Sequence, residues 1–503
     1  MGSPLNKYLS SVKPEDANPA FVAYLANLTK TAEVLPEVAS SIVREFKDQR
    51  SNLKLIASEN FCSLSCQLTM GNLLTDKYAE GYPFHRFYAG CDNVDTLEAT
   101  GVELAKKVFG AEHAYLQAHS GADANLIAYW AILHQRVGTK FLAELGDKKI
   151  NDLDSEQWLE FRKVMGNQKL LGLDYYSGGH LTHGYRFNVS AQMFDAYSYG
   201  VSKKTGLLDY DELEKQAVKI KPTILLAGYS AYPREINFRR MKEIADKVGA
   251  VLMVDMAHFA GLVAGGVFKG DFNPIPFADI ATTTTHKTLR GPRGGLILCK
   301  KEFAEQVDKG CPLVIGGPLS HVMAAKTVAF KENLTSEFKD YAHKIVQNSR
   351  ALAAACIEEG LEVLTGGTDN HLLLIDVRPF DINGRQAEAS LRECGVTLNR
   401  NSIPFDPNGA WYTSGLRVGT PAVTTLGMGE DQMKEIASII KKVLSATSAP
   451  KLKSGKISKT KYLVSEEVRT EAKSKVLNLL NNFPLYPELD LGFLEQEFLI
   501  EQK

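Results

Sequence analysis

The sequence lacks the features that would place a protein at or across a membrane. No apolar run reaches the roughly 18 to 20 residues that a membrane-spanning helix needs. Residues 1–30 show no basic start followed by an apolar core, so no secretory signal is expected. The seven cysteines include no CxxC pair, and an odd, unpatterned set favours a reducing compartment. The sequence therefore predicts a cytoplasmic protein without membrane association.

The chain also lacks an excess of charge of one sign. The formal net charge is -1 and the pI is about 6.8, so no bulk field attracts nucleic acid or anionic lipid. The local exception is residues 451–461, which contain five lysines. Because no aromatic residues alternate with these lysines, a solvated loop is favoured over a nucleic-acid surface. RNA binding through this run stays open as a secondary hypothesis.

Hydrophobic periodicity predicts an α/β protein whose largest part is residues 58–332. Short apolar runs alternate there with helical patterns, which predicts βαβ units and a mostly parallel central sheet. The expected strands are 114–118, 223–227, 251–256 and 296–299, and the expected helices include 123–133, 210–220 and 239–248.

Three further regions flank this large domain. Residues 1–57 are predicted to form an arm with an amphipathic helix at 37–50. Residues 333–460 are predicted to form a smaller α+β domain with a long helix (332–359) and a strand (371–377). Residues 461–503 are predicted to form a C-terminal helix and tail. The tail residues Phe483, Leu485, Phe493 and Phe498 indicate that it docks on an apolar surface.

The most informative motif surrounds Lys287. Four threonines (282–285) favour an extended backbone, and they are followed by His286, Lys287 and a Gly-rich turn (291–295). Glycines in such a turn let a ligand or another chain approach closely. A lysine held there is a candidate amine for a Schiff base with pyridoxal phosphate.

Other segments offer groups that the same cofactor needs. Ser120 and Gly121 follow an expected strand and precede a helix, where backbone donors can bind a phosphate. Asp255 ends an apolar strand and is a candidate partner for a pyridine nitrogen. His258 follows three residues later and is a candidate donor to the phenolic oxygen. The alternatives are a plain capped turn for Ser120, a strand-ending turn for Asp255, and a two-ligand metal site, for which no third ligand lies nearby in sequence.

Two histidines, His180 and His183, lie in a glycine-flanked loop (178–184). They fit a zinc site, a ring stacked on an aromatic ligand, or a structural pair, and the sequence alone does not decide among these. Arg417, in an apolar strand between two glycines, is a candidate for binding a substrate carboxylate. Tyr78 and Glu80, in an aromatic loop (77–83), are candidates for acid–base work or for packing.

Together these segments resemble serine hydroxymethyltransferase, a pyridoxal-phosphate enzyme of fold type I. The similar stretches occur in the family's order: residues 55–60, 77–83, 119–121, 178–184, 254–258, 282–295, 366–371 and 413–421. The resemblance implies a large domain with a mostly parallel sheet, a smaller C-terminal α+β domain and an N-terminal helical arm.

The resemblance also implies a role for each matching residue. The cofactor would be bound through a Schiff base on Lys287, with Asp255 at the ring nitrogen, His180 stacked on the ring, and Ser230 and His258 at the phenolic oxygen. The phosphate would be held by one subunit's Ser120 and Gly121 and by the neighbouring subunit's Tyr78, Gly316 and Gly317. Ala122 and His286 are further expected cofactor contacts. The residues that would bind serine and folate are Ser58, Glu80, Tyr88, Asn401 and Arg417. Among them, Glu80 and Tyr88 would act at the hydroxymethyl group.

The implied reaction is the reversible transfer of the serine hydroxymethyl carbon to tetrahydrofolate, giving glycine and 5,10-methylenetetrahydrofolate. The implied assembly is a homodimer or tetramer with shared active sites, and no metal is expected. A folate-independent pyridoxal-phosphate enzyme, such as a 3-hydroxy amino acid aldolase or a racemase, is the alternative. The sequence departs from the family at Leu313 and Val314, where glycines are expected, and in an additional polar segment within 136–170, which is expected to cover the active-site mouth or the subunit seam.

Overall fold

The computed structural model describes residues 3–500. Within them the strands are β1 (Leu53–Lys54), β2 (Gly81–Tyr82), β3 (His85–Arg86), β4 (His113–Tyr115), β5 (Lys169–Leu173), β6 (Asp195–Tyr199), β7 (Ile224–Gly228), β8 (Val251–Asp255), β9 (Ile280–Thr284), β10 (Gly295–Cys299), β11 (Glu362–Val363), β12 (Leu372–Asp376), β13 (Val396–Thr397), β14 (Asn399–Asn401) and β15 (Gly415–Gly419).

The helices of the same residues are α1 (Pro4–Ser11), α2 (Pro19–Val34), α3 (Pro36–Ser51), α4 (Leu64–Thr69), α5 (Asp92–Phe109), α6 (Gly121–Leu133), α7 (Thr139–Glu144), α8 (Ser155–Gly166), α9 (Ser190–Met193), α10 (Tyr210–Ile220), α11 (Phe238–Val248), α12 (Ala260–Ala264), α13 (Lys301–Asp308), α14 (Gly310–Leu313), α15 (Ser320–Asn333), α16 (Ser336–Glu358), α17 (Gly384–Glu393), α18 (Gly409–Tyr412), α19 (Pro421–Thr425), α20 (Glu430–Ala446), α21 (Glu466–Asn482) and α22 (Leu491–Phe498). None of these helices combines the length and the apolar character that crossing a bilayer requires.

A seven-stranded sheet forms the centre of the large domain, in the order β4-β10-β9-β8-β7-β5-β6. Strands β5 to β9 pair in parallel, and β10 is antiparallel to both β9 and β4. The sheet is covered on both faces by helices, so every residue of its central strands β7, β8 and β9 is buried. The prediction of a mostly parallel sheet is therefore confirmed, and it brings the ends of β8 and β9 side by side.

A second sheet, β11-β12-β15-β14, is antiparallel and packs under α16, α17 and α20. The predicted helix at 332–359 is interrupted, because Thr335 caps a new helix by accepting a hydrogen bond from the Phe338 N–H (3.3 Å). Helix α16 contributes Phe338 and Tyr341 to the large core and Leu352 and Cys356 to the small one. The domain limits at 332 and 460 remain predictions.

The arm and the tail pack against each other. Helices α2, α3 and α22 enclose one apolar cluster, which contains Phe21, Leu25, Phe46, Leu485, Leu494 and Phe498. Phe493 packs on this cluster, whereas Phe483 packs on the core of the small domain. The prediction that the tail docks on an apolar surface is confirmed, and that surface is the N-terminal arm.

The additional segment within 136–170 is mostly helical. It continues α6 through a π-helical turn (His134–Gly138) into α7, and α8 follows. Its buried Phe161 contacts His134, Phe141 and Trp158. The segment lies at the C-terminal end of α6, whose 13 residues separate it by about 20 Å from Gly121 at the other end. A position at the subunit seam remains a prediction.

Candidate active site

A cavity of about 670 Å³ lies where the carboxyl ends of the parallel strands face the small domain. Eight of the predicted site residues line it: Ser58, His180, Ser230, His258, His286, Lys287, Asn401 and Arg417. They come from seven separate stretches of the chain, so the parallel sheet and the small domain together create the site.

Lys287 lies three residues beyond the end of β9. The loop after this strand is closed by hydrogen bonds from the Thr285 N–H to the Gly294 carbonyl (3.1 Å) and from the Gly291 N–H to the Thr285 carbonyl (2.7 Å). Asn60 donates to the Lys287 carbonyl (2.9 Å) and fixes the backbone from the other side. Burial lowers the pKa of Lys287 to about 8, although the charge of Asp255 opposes the shift. A substantial fraction of this amine is therefore neutral near physiological pH.

Asp255 ends β8 and is buried near Lys287. Its Oδ2 accepts hydrogen bonds from Asn125 Nδ2 (2.9 Å) and His183 Nε2 (3.1 Å), and its Oδ1 accepts one from the Ala257 N–H (3.1 Å). Burial alone would raise the pKa of Asp255, but the bonds from His183 and Asn125 hold it well below its usual value. The carboxylate is thus ionised, and it lies close enough to Lys287 to influence the pKa of that amine, although Asp255 is not among the residues that line the cavity.

His180 and His183 have different roles in the structure. His183 is buried, and its Nδ1 accepts from the His180 N–H (3.3 Å), which leaves Nε2 as the donor to Asp255. His180 lines the cavity, and its Nδ1 lies 2.7 Å from Thr182 Oγ1. Burial lowers the pKa of His180 to about 4, so its ring is neutral.

The same two histidines and Asp255 form the one group of three potential metal ligands that the described residues contain. Their ligand atoms lie within 4.8 Å of one another. However, a hydrogen-bond network already uses His180 Nδ1, both nitrogens of His183 and Asp255 Oδ2. These hydrogen bonds explain why the three side chains lie close together: the two histidines hold the Asp255 carboxylate in place.

Arg417 enters the cavity from β15 of the small domain. Its Nε donates to Asn399 Oδ1 (3.1 Å) on the neighbouring strand, and its Nη1 donates to the Ser230 carbonyl (2.7 Å) of the large domain. Burial lowers the pKa of Arg417 to about 10, so the guanidinium remains charged at neutral pH. A buried cation anchored on one side is suited to binding a carboxylate with its remaining donors.

The turn before α6 lies beside the strand that leads to Lys287. Ser120 caps the helix by accepting from the Asp123 N–H (3.2 Å), as the sequence predicts. A Cβ atom on Gly121 would lie 2.7 Å from the methyl carbon of Thr284, so no side chain fits there. The first N–H groups of α6, including that of the exposed Ala122, have no acceptor within the helix and can bind an anion.

Tyr78, Glu80 and Tyr88 do not line the cavity of this single chain. They belong to a hairpin segment (78–88), where the Tyr88 hydroxyl donates to Glu80 Oε2 (3.3 Å). Tyr78 is 60% exposed, and Phe84 and Phe87 are each 72% exposed. Such a contiguous exposed aromatic surface is typical of a protein–protein interface.

Gly316 and Gly317 also lie outside the cavity lining. The Gly317 carbonyl is 3.0 Å from His119 Nε2, and a Cβ on this glycine would lie 3.4 Å from the Tyr78 ring. Gly317 therefore lies against Tyr78 of the hairpin segment. Of the two residues at which the sequence analysis notes a departure, Leu313 is 61% exposed, whereas Val314 packs against an apolar cluster of the large domain.

Two buried residues that hold the site in place, Asn125 and Lys326, were not predicted from the sequence. Asn125 was concealed in an apolar helix, although a polar side chain on the buried face of α6 is itself a signal of a specific partner. Lys326 was also missed, and its buried ammonium donates to the carbonyls of Leu116 (2.6 Å), Ala118 (2.9 Å) and Gly295 (2.9 Å). It thereby joins the turn before α6 to the strand that follows the Lys287 loop.

These groups match three requirements of pyridoxal phosphate: an amine for the Schiff base, a carboxylate for the ring nitrogen and backbone donors for the phosphate. Lys287 offers a partly neutral amine, Asp255 an ionised carboxylate, and the turn at Gly121 free backbone donors. His286 Nδ1 is buried without a protein partner among residues 3–500 and lines the cavity. The sheet order and this site define the class of the protein, an enzyme of the pyridoxal-phosphate-dependent fold type I.

Comparisons with known proteins identify the family within this class of enzymes. The sequence profile described as serine hydroxymethyltransferase matches residues 31–146 and 160–440. The serine hydroxymethyltransferase of Treponema pallidum is 62% identical over 496 residues, which cover 99% of this chain and 86% of the relative. Those of Cutibacterium acnes and Chlamydia muridarum are each 54% identical, over 93% and 98% of this chain and 96% and 100% of the relatives. The chain belongs to the serine hydroxymethyltransferase family.

The gap in the profile match falls at residues 147–159. It lies inside the additional segment within 136–170 that the sequence analysis separated from the core. The unmatched residues are the connection between α7 and α8 and the first turn of α8, whereas α7 and the rest of α8 lie within the match.

Proposed function

We propose that the protein catalyses the reversible transfer of the serine hydroxymethyl carbon to tetrahydrofolate, producing glycine and 5,10-methylenetetrahydrofolate. Pyridoxal phosphate would be held covalently by Lys287. The observation that supports the proposal most strongly is that Lys287, His180 and Arg417 line one cavity and that the ionised Asp255 lies near Lys287 and His180. The names of the relatives point to the same reaction. Seven free cysteines support a cytoplasmic location.

The cofactor, when bound, supplies an electron-poor ring that accepts the electron pair released when the bond between Cα and Cβ of serine breaks. In this proposal Asp255 keeps the ring nitrogen protonated, since His183 and Asn125 hold the carboxylate in its charged form. His180 would lie against the ring, and the neutrality of its imidazole suits it to stacking. Ser120, Gly121 and Ala122 would bind the phosphate at the start of α6, and His286, Ser230 and His258 would contact the rest of the cofactor.

Arg417 and Ser58 bind the carboxylate of serine. Because Arg417 is anchored to Asn399 and to the Ser230 carbonyl, it holds the carboxylate at one fixed position. That restraint orients the bond to be broken, and orientation can contribute about 7 to 11 kcal/mol at best. Asn401, on the side of the cavity formed by β14, is the proposed contact for the pterin of folate.

We further propose that Glu80, Tyr88, Tyr78, Gly316 and Gly317 act in the active site of a neighbouring subunit of a homodimer or a larger assembly. The exposed aromatic surface around them supports this, because such a surface is typical of a subunit interface. Glu80, hydrogen-bonded by Tyr88, would then hold or release a proton at the hydroxymethyl oxygen while the one-carbon unit is transferred.

Absorbance and product formation test the main proposal. The purified protein should be yellow with pyridoxal phosphate, and borohydride should attach the cofactor to Lys287 and to no other lysine. Lys287→Ala should remove the colour, whereas the exposed Lys301→Ala should not. Glycine formation from serine should require tetrahydrofolate. A protein that cannot be reconstituted with the cofactor contradicts the proposal, and folate-independent turnover would indicate an aldolase or a racemase instead.

Mixing two inactive variants tests the shared site. If Glu80 serves the neighbouring subunit, a dimer of Lys287→Ala and Glu80→Gln chains contains one intact site and one doubly altered site. Random re-association should then restore about a quarter of the wild-type activity. If each chain used its own Glu80, every site in the mixture would contain one lesion and no activity would return.

A further inference from the structure

Two histidines from different domains meet at the wall of the cavity. His258 Nδ1, on the loop after β8, lies 3.2 Å from His371 Nε2, just before β12 of the small domain. The two ring centres are 5.4 Å apart, and the ring planes are inclined by 31°. His258 lines the cavity, and His371 is completely buried behind it.

Both rings are neutral at physiological pH. Burial is the main cause that lowers the pKa of His371 to about 3 and that of His258 well below its usual value, and the nearby cations Lys287 and Arg417 add to both shifts. A neutral imidazole has one N–H donor and one acceptor nitrogen. The contact between Nδ1 and Nε2 therefore contains one proton, and either His371 or His258 must be its donor.

The other nitrogen of His371 decides which ring donates. Among residues 3–500, His371 Nδ1 has no hydrogen-bond partner and is fully buried. If His258 donated, His371 would have to bear its own proton on Nδ1 as a buried, unpaired N–H. If His371 donates from Nε2, its Nδ1 is only an unpaired acceptor. Buried unpaired N–H groups are the rarer and costlier case, so the second arrangement is favoured.

We propose that His371 is a positioning residue that donates to His258 Nδ1 and so fixes His258 in the form that has its proton on Nε2. His258 then presents a donor, and never an acceptor, to the cavity. That donor suits a ligand with a negatively charged oxygen, and under the proposed function it is the ring oxygen of pyridoxal phosphate. This inference rests on the proposed function for the identity of the ligand only.

The surroundings hold His371 in register with His258. The His371 carbonyl accepts from the Thr420 N–H (3.1 Å), and the adjacent Asn370 donates to the Tyr229 hydroxyl and the Tyr232 carbonyl, each at 3.0 Å. Tyr229 and Tyr232 belong to the large domain, next to the cavity residue Ser230. The small domain thus determines the hydrogen-bonding character of a side chain that the large domain supplies.

Two amide variants separate a positioning role from a packing role. The amide nitrogen of glutamine is as many bonds from the backbone as imidazole Nε2, whereas that of asparagine corresponds to Nδ1. His371→Gln can therefore donate to His258, and His371→Asn is a matched polar control whose donor is in the wrong place. We expect His371→Gln to bind pyridoxal phosphate within about twofold of wild type and His371→Asn to bind about tenfold more weakly.

The second measurement does not need the cofactor. Solid-state ¹⁵N spectra of histidine-labelled, cofactor-free protein, with His258→Asn to assign the signal, should show the His258 proton on Nε2 in wild type and in His371→Gln. In His371→Asn the signal should shift toward the Nδ1-protonated form. A wild-type spectrum with the proton on Nδ1 overturns the inference, even if the variants fail to fold. Equal spectra and equal affinities in all three proteins also overturn it.

The two proposals can fail separately. If wild type shows the Nε2 proton but binds no pyridoxal phosphate, the proposed function fails and the assignment of the His258 proton stands. If wild type binds the cofactor but His258 has its proton on Nδ1, only the inference about His371 fails.

Discussion

Replacing the buried Arg86 should destabilise the protein more than replacing an exposed arginine does. Its side chain is 3% exposed and donates to Asp95 Oδ1 (2.8 Å), Glu98 Oε2 (2.5 Å) and the carbonyls of Ala79 (3.0 Å) and Gly81 (3.2 Å). Arg86→Met would leave two buried carboxylates and two carbonyls without this partner. Breaking a buried ion pair from one side costs about 3 to 5 kcal/mol, and we expect a loss of that size in the free energy of unfolding.

The loss of stability in Arg86→Met should be larger at high pH than at low pH. Burial raises the pKa of Glu98 even with Arg86 beside it, and without Arg86 the pKa rises further. Between the unfolded pKa, about 4.3, and the raised folded pKa, the folded variant binds the proton more tightly, so its stability increases as the pH falls. The deficit of Arg86→Met should therefore be smaller near pH 5 than at pH 8.

Urea unfolding of cofactor-free protein, followed by circular dichroism at fixed protein concentration, measures the effect. Arg86→Met with Glu98→Gln should recover much of the loss, because the unpaired charge is then removed. Arg162→Met, at an exposed site, is the matched control. The reasoning is refuted if Arg86→Met loses no more than this control, or if its deficit is the same at pH 5 and pH 8.

Three further changes test separate parts of the structure. Gly121→Ala should lower the free energy of unfolding, measured by thermal unfolding, by about 1 to 3 kcal/mol, because its Cβ would lie 2.7 Å from the Thr284 methyl carbon. Adding Thr284→Ser removes that methyl group and should restore most of the loss. A double variant no more stable than the single one would contradict the clash. Phe498→Ala should cost about 3 kcal/mol and make the arm sensitive to protease, whereas Phe187→Ala, at an 88% exposed site, should do neither. In cofactor-free protein, borohydride-trapped reaction of Lys287 with a small aldehyde should reach half its maximum near pH 8, and a midpoint near 10 would show that burial does not shift this amine.

Local patterns were sufficient to predict most elements of the large domain. Helix 210–220 matches α10, and the strand expected at 251–256 differs from β8 by one residue. Such segments are predictable because periodicity and capping depend on neighbours in the chain. The break between α15 and α16 was missed because the apolar pattern continues across Thr335, whose capping role appears only in three dimensions.

Single residues of the site were predictable when their chemistry contrasts with their neighbours. Lys287 after four threonines and Asp255 at the end of an apolar strand are such cases. The partners of these residues were not predictable from local sequence. Asn125 lies 130 residues before Asp255, and His371 lies 113 residues after His258, so only the folded sheet and the small domain bring each pair together.

The contact between the arm and the tail has a consequence for biosynthesis. The ribosome completes α2 and α3 first, but Phe21, Leu25 and Phe46 acquire their cover only when α22, ending at Phe498, has been made. Until α22 has been made, the nascent chain thus displays an open apolar face, which is the kind of surface that chaperones bind. A chain that stopped before α22 would contain every residue that lines the catalytic cavity and would leave the apolar face of α2 and α3 uncovered.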